Sequence, residues 1–294
     1  METKLAKLIG LTLGFMVGLS ACSNGAEEVV VPGSVIELTS EIASSRVTAL
    51  DCQSKQIAVG QHIGVTVTGA KSEHDNVAWV VGKEGLLANT GADLYWDTTD
   101  ATITAYHPYH AGWTGGNQVF SVNTDQSSDE GYLDSDLLWT ATTASPSDHP
   151  VALEFTHKLA KICVILSSDD IADLSNATLT VCGTNISTGF NPETGALSAV
   201  DGKVADIKMS VTTSTAYTGA AIIVPQKVVN GTKFMKVTYG GYDYDYLLSA
   251  DMDFKPGRSY TFSLKMKKVN DGGPSIGIVF EEGDMTESDY EFGF

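Results

Sequence analysis

Basic residues are scarce in this sequence. Its 294 residues include 18 lysines and arginines against 36 aspartates and glutamates, which gives a formal net charge of −18 at pH 7. A surface with that excess of negative charge repels phosphate backbones and anionic lipid headgroups. The composition therefore excludes nucleic-acid binding.

Patterns that mark active sites and metal sites are also lacking. Neither a CxxC nor an HExxH spacing occurs, although these are common zinc-binding patterns. The glycine pair at residues 115–116 is not followed by the Lys-Ser/Thr of a phosphate-binding loop. Ser147, Asp148 and His149 are the residue types of a catalytic triad, but the side chains of adjacent residues diverge. We therefore expect no catalytic site, no metal and no cofactor, in a protein that is not an enzyme.

One long apolar run is present, near the N-terminus. Lys4 and Lys7 precede a run at residues 8–19, which is the arrangement of a secretory signal peptide. The run is shorter than the roughly 20 residues that span a bilayer. It ends in Leu-Ser-Ala-Cys at residues 19–22, which resembles a lipobox. We predict a signal peptide at residues 1–21 and lipidation of Cys22, which would anchor the chain to the outer membrane; the alternative is an ordinary signal peptide.

Cysteine is limited to four residues. Once Cys22 carries lipid, Cys52, Cys163 and Cys182 remain, and an odd number cannot all pair internally. Cys163 and Cys182 lie in neighbouring strand-like segments. They either form a disulfide or stay as buried free thiols.

Apolar and polar residues alternate along most of the chain, which is the period of a β-strand rather than of a helix. In the run at residues 259–268 every second residue is apolar: Tyr260, Phe262, Leu264 and Met266. Glycine-containing turn signals separate such runs. The pattern predicts an all-β protein of antiparallel β-sandwiches, with one or two turns of helix at residues 169–174.

The polar stretch at residues 142–150, which contains two prolines, is the best domain boundary. We predict an N-terminal sandwich at residues 47–148 and a C-terminal sandwich at residues 149–272. A propeptide segment at residues 22–46 precedes them, and a tail at residues 273–294 follows. Strands are predicted near residues 57–68, 77–81, 101–106, 118–122, 151–166, 177–182, 205–213, 220–225, 233–239, 243–249 and 259–268.

An aromatic cluster at residues 106–113 has two interpretations. Tyr106, Tyr109 and Trp113 could stack on a sugar ring and so form a glycan-binding surface. The alternative is that these rings cap the end of a sandwich. The first interpretation would make the protein a monomeric glycan-binding surface lipoprotein.

Several segments, in the same order, resemble the fimbrillin family, the subunits of type V pili in gut and oral diderm bacteria. IAVGQHIGV at residues 57–65 resembles the family's F-x-x-G-D-x-I-G-V strand, although Gln61 replaces the usual Asp and Ile57 the usual aromatic residue. VALEFTHKLAKICVI at residues 151–165 resembles v-x-L-x-F-x-H-x-L-A-K-v-x-v. The remaining matches are YW at 95–96, TITAYHPY at 102–109, DLLW at 136–139, IVPQ at 223–226 and PGRSY at 256–260.

The resemblance implies two tandem transthyretin-like β-sandwiches, export as a lipoprotein, and assembly into a cell-surface fimbrium by donor-strand exchange. It also implies cleavage by an arginine-specific protease. Arg46 is the sole basic residue between Cys22 and Lys55, so cleavage is expected between Arg46 and Val47. The alternative is that Arg46 is an ordinary surface residue.

Donor-strand exchange needs a strand to remove and a strand to donate. Before cleavage, a strand from the segment before Arg46 should fill a groove, with Ile36 and Leu38 pointing inward. The tail is the candidate donor, through the alternating residues Ile276, Ile278, Phe280, Tyr290, Phe292 and Phe294. The alternative is that the tail is the last edge strand of its own domain. Partners would be other pilus subunits, in a homo- or heteropolymer, and a surface receptor for adhesion.

Overall fold

The computed structural model describes residues 33–42, 57–71, 74–91, 93–148, 150–200, 202–213, 217–269, 277–281 and 285–289. These residues form an almost entirely β structure, as the period of two predicts. The strands up to residue 157 are β1 (Leu38–Ile42), β2 (His62–Thr68), β3 (His74–Val81), β4 (Leu87–Asn89), β5 (Ala101–His107), β6 (Gln118–Ser121), β7 (Leu138–Ala144) and β8 (Val151–His157).

Fourteen further strands follow: β9 (Ala160–Ser167), β10 (Thr178–Asn185), β11 (Ser187–Phe190), β12 (Leu197–Ser198), β13 (Val204–Lys208), β14 (Ser210–Thr212), β15 (Tyr217–Ile223), β16 (Gln226–Val228), β17 (Lys233–Tyr239), β18 (Tyr242–Leu247), β19 (Met252–Phe254), β20 (Arg258–Val269), β21 (Gly277–Glu281) and β22 (Met285–Asp289). In the described ranges, helix is limited to α1 (Asp129–Leu133) and a 3-10 turn (Lys83–Gly85). Neither of them is long and apolar enough to cross a membrane.

The strands divide between two main bodies of sheet. The first is a seven-stranded sheet in the order β1-β8-β7-β5-β2-β3-β4. The second comprises a four-stranded sheet, β13-β10-β17-β18, and a larger sheet, β14-β15-β9-β20, whose outer edge carries β21 and β22. Each body has its own hydrophobic core, one around Trp96 and Phe155 and the other around Phe234 and Tyr260.

Burial within β20 follows the predicted alternation. Tyr260, Phe262, Leu264 and Met266 are all buried in the second core. β20 pairs in parallel with β9 on one side and antiparallel with β21 and β22 on the other. Since β20 is hydrogen-bonded on both sides, it organises the second body.

The run at residues 151–165 forms two strands in different sheets rather than one strand. β8 is hydrogen-bonded into the seven-stranded sheet, whereas β9 lies in the second body. The chain changes sheets at Lys158 and Leu159, where the Lys158 amide donates to Leu137 O (2.8 Å) and Leu159 O accepts from the Gly257 amide (2.9 Å). The polar residues 142–144, assigned to the predicted boundary stretch, lie within β7.

The prediction of a helix at residues 169–174 is wrong, because the structure has no helix there. Side chains bond the local backbone there instead, with Ser168 Oγ accepting from the amides of Asp170 and Ile171. Such side-chain bonds compete with helix formation. The described α-helix is α1, whose N-cap Ser128 accepts from the Gly131 amide and whose first turn carries two acidic residues.

A buried glutamine attaches the loop after β6 to the second body. Gln126 lies between β6 and α1, and its side chain bonds both backbone groups of Ile222 in β15. The Ile222 amide donates to Oε1 (2.7 Å), and Nε2 donates to Ile222 O (2.8 Å). β6 itself pairs with β11 in a small sheet of β12, β11 and β6, and its Phe120 is buried in the second core.

Candidate functional site

The N-terminal segment at residues 33–42 is an extended strand with one face in the first core. Its even-numbered residues from 36 to 42 point inward: Ile36 (1% exposed), Leu38 (1%), Ser40 (0%) and Ile42 (4%). The odd-numbered residues are exposed or half-buried. The prediction that Ile36 and Leu38 point inward is therefore confirmed.

We call the space that this segment occupies the strand slot, and its first wall is β8. β1 and β8 run parallel, with Leu38 opposite Val151, Ser40 opposite Leu153 and Ile42 opposite Phe155. β8 pairs with β7 only at its last two residues, Thr156 and His157. In the described part of the chain, the ladder partners of residues 151–155 thus all belong to β1.

The second wall of the strand slot comes from two loops on the other side of β1. The Gly33 amide donates to Trp96 O (2.9 Å), the Trp96 amide to Ser34 O (2.9 Å), and the Ile36 amide to Leu94 O (2.8 Å). Further along, Thr39 forms an antiparallel bridge with Leu86, just before β4. β1 and β4 are the two ends of the seven-stranded sheet. The sheet therefore curls round so that β1 lies beside the start of β4.

A tight turn shapes this second wall above Ser40. Glu84 and Gly85 are both left-handed, with φ of 57° and 76°. This turn brings Gly85 O to 3.2 Å from Ser40 Oγ, which donates a hydrogen bond to it. The strand slot therefore has a polar contact at one of its four inward positions and aliphatic contacts at the other three.

The energetic weight of this arrangement is large for so short a segment. Fully burying one aliphatic side chain contributes about 1.5–3 kcal/mol, and β1 together with residue 36 buries three of them. Removal of the segment would expose the first core and leave backbone groups unpaired on both walls. Such a groove is a template for another extended strand.

The tail runs along the outer edge of β20. β21 pairs with Lys265–Val269 and β22 with Arg258–Phe262, both antiparallel. Lys265 of β20 pairs with Glu281 of β21, and Phe262 of β20 pairs with Met285 of β22. An ion pair between Arg258 Nε and Glu287 Oε1 (2.9 Å) spans this edge.

Of the predicted donor residues, Phe280 is half-buried and meets Tyr246 edge-on, with ring centroids 6.2 Å apart. Ile278 pairs with Lys268 through its backbone. Ile276, Tyr290, Phe292 and Phe294 lie outside the described residues, as do Cys22, Arg46 and Val47. The tail side chains at Val279 and Met285 are exposed.

The aromatic cluster is packed at the junction of the two bodies. Tyr106 (3% exposed) and Trp113 (9%) stack on each other with ring centroids 5.0 Å apart, and Phe190 of β11 packs against both. Tyr109 is half-buried. The faces of the two large rings are therefore used within the protein, which matches the capping interpretation.

Hydrogen bonds fix these rings further. Tyr106 Oη donates to Asn76 Oδ1 (2.8 Å), and Asn76 Nδ2 donates to His110 O (2.9 Å) and Trp113 O (2.7 Å). Burial raises the pKa of Tyr106 to about 12. The same cause lowers the pKa of His107, whose ring meets Asp136 O (3.1 Å) and Gln61 Oε1 (3.2 Å).

Titratable groups elsewhere form no metal-binding set. Among the described residues, no group of three or more His, Cys, Asp or Glu side chains could hold a metal ion. Cys163 and Cys182 are free thiols on β9 and β10, in different sheets, so the alternative without a disulfide is the one observed. Burial raises the pKa of the Cys182 thiol, which makes it a weak nucleophile.

Solved structures from Bacteroides species share this fold. A candidate cell adhesion protein from Bacteroides ovatus is 17% identical, with a TM-score of 0.65 over 88% of this chain and 98% of that one. A candidate cell adhesion protein from Bacteroides uniformis is 18% identical, with a TM-score of 0.61 over 87% and 98%. At these identities the likeness establishes a shared fold. No curated protein matches the chain.

The fold shared with these structures is all-β, with several packed sheets. The family model described as fimbrillin-like matches residues 45–280. The match covers most of the sequence, and the chain belongs to the fimbrillin-like family. Membership supports a pilus or adhesion subunit at the cell surface that associates with other subunits.

The strand slot predicts a stability difference between the two faces of β1. Leu38→Ala should lower the free energy of unfolding of the uncut chain by about 2–5 kcal/mol, because it leaves a cavity in the first core. Glu41→Ala, on the exposed face of the same strand, is the matched control and should change it by less than about 0.5 kcal/mol. Urea denaturation of both variants measures the difference. Equal, small effects would show that β1 does not contribute to the core.

Proposed function

We propose that the chain is a structural subunit of a cell-surface type V pilus. It polymerises by donor-strand exchange after proteolytic removal of its N-terminal segment, and it contributes to adhesion. The observation that carries the proposal is the strand slot. A strand that precedes the candidate cleavage site fills a two-walled groove in the first core, so one cut downstream of that strand would free the groove for a neighbour.

The position of arginine supports a single cut. The chain has two arginines, Arg46 and Arg258. Arg258 begins β20, where strands pair on both sides, and its side chain meets Glu287. A protease needs an extended, accessible substrate, and the middle of a sheet does not offer one. Arg46 falls between β1, which ends at Ile42, and the next described residue, Ile57.

Processing at this position would also detach the membrane anchor. In the precursor, acyl chains on Cys22 would hold the protein at the outer membrane. A cut after Arg46 separates residues 22–46 from the body, so lipid and β1 belong to the same fragment. Anchoring and groove occupancy would therefore end together, once a donor displaces β1.

The tail is the proposed donor strand to a neighbouring subunit. In the monomer it lies at an edge, held by backbone pairing with β20 and the Arg258–Glu287 ion pair. Exposed ion pairs contribute little, typically 0–1 kcal/mol, and Phe280 is the described tail side chain that packs against the second core. Detachment of such an edge strand costs less than extraction of a central strand.

The competing function, a monomeric glycan-binding lipoprotein, has less support. Its candidate stacking residues Tyr106 and Trp113 are buried against each other and against Phe190. A sugar platform needs an accessible ring face. Together with family membership, this favours a structural role without enzymatic activity.

Arg46 provides the direct test of processing. In cells, surface-assembled wild-type protein should begin at Val47 on N-terminal sequencing. Arg46→Ala should stay uncut and form no SDS-resistant ladders, while its melting temperature should equal that of the uncut wild-type chain, because both keep β1 in the strand slot. Arg258→Lys, which alters the other arginine and keeps the charge, should still be processed. A polymer whose subunits begin at acylated Cys22 would contradict the proposal.

Deletion of residues 275–294 tests the tail. Ladders should disappear because no donor strand remains, whereas the monomer should keep most of its stability. The expected loss is about 2–3 kcal/mol, since the described part of the deleted segment contributes one partly buried aromatic side chain, Phe280, and edge pairing with β20. Thermal unfolding and unboiled immunoblots are read together, with exposed Val279→Ser as the control. A large fall in the melting temperature would show that the tail is part of its own sandwich, and it would contradict the proposal that the tail is a donor strand.

A further inference from the structure

We propose that the strand slot selects its incoming strand at the third inward position, which accepts only a small side chain. The matching occupant is an extended segment of a different subunit, with apolar residues at its first, second and fourth inward positions and Ser, Ala or Gly at the third. This inference rests on the proposed donor-strand function and names the partner for that site.

The four inward positions of the strand slot are not equivalent. Ile36, Leu38 and Ile42 are aliphatic, but Ser40 is fully buried between Leu153 on one side and Gly85 O on the other. Leu153, its cross-strand neighbour on β8, is itself fully buried. Space at this level is therefore divided between a large residue of β8 and a small one of β1.

The second wall cannot easily move away from Ser40. The turn is closed by the Gly82 amide, which donates to Leu86 O (2.7 Å), and by the Leu86 amide, which donates to Lys83 O (3.2 Å). An added Cβ at Gly82 would lie 3.0 Å from Leu86 O, so the turn is already tight. A branched side chain in place of Ser40 would extend into Gly85 O, and packed interiors resist added volume.

The hydroxyl of Ser40 matters less than its size. Its hydrogen bond to Gly85 O joins two uncharged groups, and such a bond contributes only modestly to the free energy of folding. Alanine at this position keeps the volume within bounds and loses one hydrogen bond. Leucine exceeds the available space, so the third position selects its residue by side-chain volume.

The tail of this chain does not carry the required pattern. Along residues 270–294, no set of alternate positions reads apolar, apolar, small, apolar in the direction of β1. The register that uses Ile276 and Ile278 places Phe280 where Ser40 lies. In the reverse direction, Ser288 reaches the third position only with Thr286 in place of Ile42. A second copy of this chain is thus a poor donor, and the subunits that meet at the strand slot differ in sequence.

Peptide exchange tests the selectivity directly. The full chain is cut after Arg46 with an arginine-specific protease and mixed with fluorescent peptides of residues 33–46. The native and Ser40→Ala peptides should exchange into the strand slot within about threefold of each other. Ser40→Leu should bind about tenfold more weakly or worse. Glu41→Leu, which adds similar bulk on the exposed face, is the matched control and should bind like the native peptide.

A peptide of residues 275–294 tests the choice of partner. It should fail to displace the native peptide, because no register fits all four positions. Displacement by this peptide as readily as by the native one would overturn the assignment to a different subunit. Equal binding of the Ser40→Leu and native peptides would overturn the size limit at the third position.

A second measurement separates this inference from the proposed function. In the uncut chain, Ser40→Leu should lower the melting temperature and Glu41→Leu should not, whether or not any strand exchanges. If the native peptide fails to exchange, the donor-strand mechanism is contradicted, and the melting comparison alone then decides the size limit. Equal melting of the two uncut variants would refute it.

Discussion

The first half of this protein depends on one strand that comes from far away in sequence. β1 is inserted between β8, more than one hundred residues later, and the loops at residues 85–86 and 94–96. Residues 151–155 of β8 find their described ladder partners in β1, so one wall of the strand slot is ordered by its own occupant. Hydrophobic burial and backbone pairing thus coincide in a segment that lies upstream of the proposed cut. In the proposed function, removal of this segment would turn a stable precursor into an incomplete acceptor.

The second half shows the complementary property. β20 is paired on both sides, and its outer partners are the two pieces of the tail, whose described side chains are mostly exposed. Detaching an edge strand whose described side chains are mostly exposed costs little free energy. Detaching β1 costs more, because three aliphatic side chains in it and next to it, Ile36, Leu38 and Ile42, are buried in the first core. The strand slot therefore holds a buried strand, whereas the described part of the tail is an edge strand. The strand slot and the tail of one chain need not fit each other. In the proposed account they do not fit, because the tail has no suitable small residue at the position of Ser40.

The sequence predicted what depends on local alternation. The buried face of β20 and the inward direction of Ile36 and Leu38 follow from a period of two, and both are confirmed. β7 was not predicted, because its threonines resemble those of a polar linker, although threonine favours strands. The helix was misplaced, even though Ser128 followed by two acidic residues is a recognisable helix start.

The second wall of the strand slot could not be predicted in the same way. The bridge of Thr39 with Leu86 and the bond of Ile36 with Leu94 join distant segments, and no local pattern encodes such pairs. The same holds for Gln126, whose bonds to Ile222 give no signal in a polar loop. The break at Lys158 and Leu159 gave no signal in the sequence either, because Val151, Leu153 and Phe155 before it and Leu159 at it all fall on odd-numbered positions.

Amide hydrogen exchange of Val151, Leu153 and Phe155 measures the central dependence most directly, because the Val151 amide donates to Glu37 O and alternate amides of a strand point to the same side. These amides should be protected in the uncut precursor, because β1 pairs with them. They should exchange rapidly in a processed monomer from which residues 22–46 have been removed, and become protected again in the assembled polymer. Unchanged protection after removal of the segment would show that β8 does not rely on β1, and it would contradict the account of the strand slot as an acceptor groove.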